Sequence, residues 1–378
     1  MIPSLSPSTG GPPEALRHLT RAYGDVGVLV EIVCQDDPSE PYLSDFSIPI
    51  HAMGAPTGAY GYSRQLLAWL RQNVTRFDGV VINGIWTYHG LAAAIAAKGR
   101  VPYLVLTHGM LDPWFKRHYP LKHLKKYFYW PVQYWILRHA ETVMFTSTLE
   151  RDLAPQSFWP NHWKSFVVPY GTGDTPPNSK AQSDALYSKL PLLHGRPYVL
   201  FLSRIHEKKG CDLLIEAFAR VAPVHPDVDL VIAGPDQVGL QSKLQRLAAD
   251  LGIERRVHWP GLLTGDAKWG ALRGCDAFIL PSHQENFGVV VAEALACGRP
   301  VLISNQVNIW PDIEQEGVGL VAPDTLAGTE DLLSGWLALG DGKRSAMIAR
   351  TTEVFRKRYS MRSGAVAIKG LFEQLNRK

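Results

Sequence analysis

Apolar and polar positions alternate along the chain in two registers. Short apolar runs rich in β-branched residues stand at 26–34, 79–83, 103–107 and 142–146. Between them lie stretches with apolar residues at helical spacing, such as 63–74 and 91–98. Short β-rich runs separated by helices predict parallel sheets built from βαβ units. Residues 170–194, rich in Gly, Pro, Ser and Asn, break the rhythm and read as a linker. The alternation resumes with runs at 198–202, 230–233, 277–280 and 300–303. The pattern predicts an α/β protein of two doubly wound, Rossmann-like domains facing across a cleft, with ligands at the carboxyl ends of the strands. The boundaries are expected at 1–175 for the N-terminal domain, 176–195 for the linker and 196–355 for the C-terminal domain. A charged helix over 356–378 is expected to pack back on the first domain. Only two or three strand residues precede the Gly10-Gly11 loop. Either the first strand is short or the native start lies upstream.

Composition narrows the class. The 378 residues are 46% hydrophobic and 20% charged, which excludes a disordered chain and fits two domains. A formal charge of +4 is too small at this length to argue for nucleic acid. Four cysteines lie far apart with no CxxC pair, against a structural zinc site or disulfide scaffold and in keeping with a reducing cytosol. No apolar run approaches the roughly 20 residues that span a bilayer, and no signal-peptide pattern opens the chain. A soluble cytoplasmic protein is expected.

Two segments carry candidate chemistry. In the first, running from Ser282 to Gly298, Gly288 is expected to open a helix after a strand. Backbone N–H groups at a helix N-terminus make an anion site. Glu285 and Glu293 bracket it, and carboxylates accept hydrogen bonds from sugar or ribose hydroxyls. A helix with one exposed Glu and a polar capping loop is the bland alternative, and spacing alone does not choose. The second segment, from Leu202 to Gly210, places Arg204 and Lys209 just after a strand end, where cations face phosphates. An ordinary solvated loop stays open there too.

Together the two segments resemble the retaining nucleotide-sugar glycosyltransferases of family 4, which have the GT-B fold. Glu285 and Glu293 match the family's E-x7-E motif. Ser203-Arg204 with Lys209-Gly210 matches its diphosphate motif, and Leu295-Ala-Cys-Gly-Arg-Pro300 the turn to the next strand. The likeness is specific over about 198–323. Before residue 175 it rests on Gly10-Gly11, Thr107-His108-Gly109-Met110 and Val168-Pro169-Tyr170-Gly171.

The resemblance implies an acceptor-side first domain and a second domain that takes a nucleotide diphosphate sugar. It implies that Glu285 binds donor-sugar hydroxyls and Glu293 the ribose. Arg204 and Lys209 neutralise the diphosphate as it gains charge, which counts as catalysis. Backbone N–H groups near Phe287 and Gly288 add to this. His108 stands at the reacting centre, touching the donor sugar, and Gly10 and Gly11 let the first loop approach the phosphates. Family members need no metal or other cofactor and retain anomeric configuration, the departing phosphate taking the acceptor's proton. By family habit GDP-mannose ranks ahead of a UDP-hexose.

The sequence departs from the family at 306–312. Gln306-Val-Asn-Ile-Trp-Pro-Asp312 stands where a Gly-Gly-x-Pro-Glu loop is common, so Asn308 and Trp310 are expected to shape the sugar pocket differently. Asp227-Val-Asp229 spells a metal-binding D-x-D but precedes a strand, and reads as a structural strand entry. The histidines lack zinc spacing. No GxGxxG or P-loop occurs, and a glycosidase pair would leave Arg204 and Lys209 idle.

Residues 113–138 hold Lys116, Arg117, Lys122, Lys125, Lys126 and Arg138, interleaved with nine aromatics and no acidic residue. That composition fits peripheral contact with an anionic membrane, at the inner face of the cell membrane, and so a lipid-linked glycan acceptor. Plain packing of a core helix pair is the alternative; nucleic acid is not expected. Trp86-Thr-Tyr-His89, Asp112 and Arg117 are further candidates for the acceptor side. The expected function is hexose transfer to a hydroxyl of a lipid-linked glycan in surface polysaccharide synthesis. A GT-B sugar-nucleotide epimerase and a non-catalytic nucleotide-binding scaffold are the alternatives.

Overall fold

A computed structural model describes residues 1–9 and 11–377. The chain forms two compact units, Met1–Gly173 with Ser360–Lys378, and Asp174–Tyr359. In the first unit β1 (Ile32–Cys34) and β2 (Ile50–Ala52) pair in parallel. β3 (Val80–Asn83), β4 (Tyr103–Leu106), β5 (Thr142–Phe145) and β6 (Ser165–Val167) form a second parallel sheet in that order. The chain start joins the two. Ile2 N donates to the Val33 carbonyl at 3.1 Å, Gln35 N to Pro3 at 3.0 Å and Asn83 N to Met1 at 2.9 Å. Residues 1–3 thus take a short strand's place between β1 and β3. The Asp36 carboxylate accepts from Leu5 N at 2.8 Å and steadies the segment that follows.

The apolar run at 26–34 yields a strand only over its last three residues. The helix Gly11–Asp25 ends just before it, and Val28 N turns back to the Tyr23 carbonyl at 2.9 Å with Gly27 at φ +73°. That is a helix C-terminal cap, so residues 26–28 close the helix and Leu29 is left exposed. The helix Arg64–Asn73 follows its signal. Ser63 caps it by accepting from Leu66 N, and Leu66 and Leu70 share the buried face. Trp130, Ile136 and Leu137 join them in the core.

In the second unit β7 (Tyr198–Leu202), β8 (Asp229–Ala233), β9 (Val257–Gly261), β10 (Ala277–Leu280), β11 (Val301–Ser304) and β12 (Gly319–Ala322) make one sheet. Every recorded pairing is parallel, in the order β12-β11-β10-β7-β8-β9. This is the doubly wound order, and the winding reverses between β7 and β10. A ligand crevice belongs outside the carboxyl ends of those two strands. Asp229 opens β8 as a buried carboxylate held by Arg196 at 2.9 Å and His258 at 2.8 Å, a structural strand entry.

The expected linker 176–195 is not free chain. It carries the helix Lys180–Lys189, which buries Gln182 and Leu186 and packs on the helix Gly265–Gly274. Arg273 bonds Gln182 Oε1 at 3.1 Å across that contact. With one buried apolar side chain on a polar helix, periodicity gave no signal. At the other end the helix Met361–Asn376 belongs to the first unit and packs on Gly11–Asp25.

Candidate functional site

The switch point of the second unit gathers most of the expected donor-side residues. After β7 the chain passes Arg204 and a turn, Glu207–Lys209, before the helix Cys211–Val221. Gly210 makes that junction at φ +64°, where a Cβ would stand 2.3 Å from the Pro281 carbonyl oxygen. Glycine therefore lets the β7 loop lie against the end of β10. His283 N donates to the Lys208 carbonyl at 2.8 Å and stitches the two loops together.

Lys209, only 8% exposed, forms an ion pair with Glu285. Glu285 is pinned by its own backbone. Its N–H donates to Gln306 and its carbonyl accepts from Asn308 N, both at 3.0 Å. The departure at 306–312 is therefore a direct neighbour of the first carboxylate. Asn308 Nδ2 reaches Asn286 Oδ1 at 3.5 Å. Phe287 is buried, and Gly288 at φ +73° caps the helix Val289–Ala296, its carbonyl accepting from Val291 N at 2.8 Å.

Glu293 sits inside that helix and is 4% exposed. Its Oε1 accepts from Lys268 Nζ at 2.6 Å, while Oε2 is buried with no hydrogen-bond partner among the described residues. A buried acceptor left unmade costs about 1–3 kcal/mol. A ligand hydroxyl would satisfy it. Lys268 was not among the sequence candidates. It lies on another helix, and only the fold brings it to Glu293. Arg204 is exposed, its guanidinium 3.5 Å from Gln237. Three cations, two carboxylates and a helix N-terminus at a switch point can hold an anion between two sets of hydroxyls.

His108 lies in the first unit, just past β4. It adopts φ +50°, unusual for a side-chain-bearing residue, with Gly109 at φ +74°. Its Nε2 is 3.1 Å from Asn83 Oδ1, and its ring meets Tyr170 edge-on with centroids 5.9 Å apart. Because that oxygen accepts, the Nε2 nitrogen carries the proton. Loss of water around the ring lowers its pKa from 6.5 to about 4, so the imidazole is neutral at pH 7.

The other first-unit candidates divide. His89 is fully buried, bonded to the Asn83 carbonyl at 3.0 Å and to Thr87, and burial lowers its pKa to about 4. It is a core histidine. Trp86 is half-buried at φ +80°, with Lys126 Nζ 4.7 Å from its ring centroid. Asp112 caps Trp114 N at 2.8 Å, and Arg117 is exposed. Gly10 lies outside the described residues, and Gly11 is the first residue of its helix. Over 113–138 the side chains divide between buried and exposed. Trp130, Ile136 and Leu137 pack inward, while Leu121, Leu124 and Phe128 face water beside exposed Lys122 and Lys125. Among the described residues no helix is long and apolar enough to cross a membrane.

The sequence profile described as glycosyl transferases group 1 matches residues 183–352, and the glycosyl transferase 4-like domain profile matches residues 10–171. The chain belongs to the family 4 glycosyltransferases. A D-inositol 3-phosphate glycosyltransferase of Salinispora tropica is 35% identical over 191 residues, 48% of this chain and 39% of that protein. A mannosylfructose-phosphate synthase of Agrobacterium fabrum is 24% identical over 327 residues, 78% and 71% of the two chains. The chain spans about a third to a half of the length of most of the curated relatives it matches. Among solved structures, Anabaena HepE in complex with UDP superposes with a TM-score of 0.78 at 20% identity, covering 99% of this chain and 98% of that one. The fold is GT-B.

Proposed function

We propose that this glycosyltransferase moves a hexose from a nucleotide diphosphate sugar to a hydroxyl of a lipid-linked glycan in surface polysaccharide synthesis. It retains the anomeric configuration, needs no metal ion, and works in the cytoplasm at the inner face of the membrane. The observation that carries the reading is the pairing of Lys209 with Glu285 and of Lys268 with Glu293 around one helix N-terminus. On donor binding the diphosphate takes over Lys209, freeing Glu285 for the sugar hydroxyls, and the ribose satisfies Glu293. Arg204, exposed beside the same loop, adds a second cation.

In the reaction the bond from the anomeric carbon to the phosphate oxygen breaks. A bond from the acceptor oxygen forms on the same face, and the acceptor's proton passes to the departing phosphate. Arg204, Lys209 and the N–H groups beside Gly288 stabilise the growing negative charge. Neutral His108 offers a hydrogen bond to the donor sugar. The UDP in the HepE structure supports a nucleotide diphosphate donor. GDP-mannose stays the first candidate by family habit, with UDP-hexoses next. Phe128, 83% exposed, with Leu121 and Leu124, supports insertion into an anionic lipid surface flanked by lysines.

The test is acceptor-dependent transfer in EDTA, using a lipid-linked acceptor in anionic vesicles and the product's anomeric coupling by NMR. Expected is retained configuration, with transfer from vesicles lost in Leu121→Ser/Phe128→Ser while a detergent-soluble acceptor is still used. Nucleotide release without an acceptor would favour the epimerase, and no turnover at all the scaffold. Equal use of both acceptors by that variant would remove the membrane contact.

A further inference from the structure

The turn that carries His108 is tied down by a carboxylate from another element. β5 is followed by Thr146, Ser147 and a helix of six residues, Thr148–Leu153. Ser147 Oγ accepts from Glu150 N at 3.0 Å, so Ser147-x-x-Glu150 forms one half of a capping box. In the complete box the glutamate returns to the cap residue's own N–H. Glu150 goes elsewhere. Its Oε2 accepts from Thr146 N and Thr146 Oγ1, both at 2.7 Å. Its Oε1 accepts from Thr107 Oγ1 at 2.7 Å and from Gly109 N at 2.8 Å. Glu150 is 3% exposed.

Thr107 and Gly109 are the two neighbours of His108, so one carboxylate oxygen grips the turn on both sides of it. Between the two grips His108 holds the left-handed backbone conformation that sends its ring to Asn83 and Tyr170. Such a conformation persists where the surroundings over-determine it. A mere helix cap has no need of bonds to residues some forty positions earlier. We propose that Glu150 is a positioning residue for His108, fixing the backbone of its turn so that the imidazole stands at the donor sugar. This rests on the proposed role of His108. The carboxylate touches no reacting atom; it acts through the turn.

The experiment is a double-variant cycle on kcat, with donor KM read in parallel. Glu150→Gln keeps the volume but turns an amide N–H₂ toward donors that need an acceptor. Expected is a kcat loss of about 10–100-fold with donor KM within about twofold, near the cost of misplacing a catalytic group. In the His108→Ala background the same change should alter kcat by less than about twofold, because the group being positioned is gone. Losses that multiply in the double variant overturn the proposal while leaving His108's role intact. Wild-type kcat in His108→Ala overturns that role, and the proposal falls with it. If Glu150→Gln does not fold by near-UV circular dichroism, Thr107→Val decides. It removes one grip without touching the carboxylate, and a smaller kcat loss should again vanish in the His108→Ala background. A loss that persists there overturns the proposal.

Discussion

The switch point of the second unit and the His108 turn of the first both hold polar groups in largely dry surroundings, by opposite means. At the switch point charge meets charge: Lys209 holds Glu285, and Lys268 holds Glu293. At the turn the presented group is a neutral imidazole, and the nearby carboxylate is engaged by hydroxyl and backbone donors. The proposed reaction accounts for the difference. A diphosphate leaving group gains negative charge and calls for cations. Buried Lys209 and half-buried Lys268 left alone would be costly, so carboxylates hold them in the free protein. The anomeric carbon gains positive charge, beside which an imidazolium would repel and a neutral ring would not.

The largest effect should come from breaking the charged side of this comparison. On the proposed reading Lys209→Ala removes the cation that meets the leaving group, and kcat/KM should fall by roughly 10²–10³-fold. Initial rates with circular dichroism as a folding control measure it. Lys209→Arg should recover part of the loss. Full activity in Lys209→Ala would mean that the Glu285 pair is only structural. The Glu150 cycle probes the neutral side, at an expected 10–100-fold.

Much of the charged side is legible in the chain itself. Glu285 and Glu293 have seven residues between them, a glycine included, and Arg204 and Lys209 follow an apolar run, so strand ends and one helix locate them. Lys268 is not legible, because its partner is reached only through packing of the helix Gly265–Gly274. Glu150 had a local signal, Ser147-x-x-Glu150, but that signal promises a helix cap and says nothing of the turn at 107–109. The fold shows the same division. Runs bounded by polar turns became strands, whereas 26–28 was claimed by a helix cap and 180–189 formed a helix with little apolar periodicity. Local pattern yields elements; contacts distant in sequence decide what the polar side chains are for.

The smallest effect concerns pH. The His108 imidazole has a pKa of about 4 in the folded protein against 6.5 when unperturbed, and His89 behaves alike. Well above pH 6.5 neither ring is charged in either state, so neither alters stability. As pH falls from 6.5 towards 4, the unfolded chain takes up protons that the folded rings refuse, and stability is lost; below 4 the loss levels off. Denaturant midpoints should therefore fall across that window, less steeply in His108→Gln. The pH profile of kcat should show no limb from His108 near 6.5. A limb there, abolished by His108→Gln, would mean that the ring titrates and would remove the neutral half of the comparison.

The central claim is that Glu293, with its unsatisfied oxygen, and the Lys209–Glu285 pair form a nucleotide site. The direct measurement is the thermal midpoint of the purified protein against a panel of nucleoside diphosphates and nucleotide sugars in EDTA. A ligand that binds only the folded state raises the midpoint by mass action. The account predicts a selective rise with one base, unaffected by EDTA and lost in Glu293→Ala. No rise with any nucleotide, or the same rise in wild type and Glu293→Ala, would contradict it.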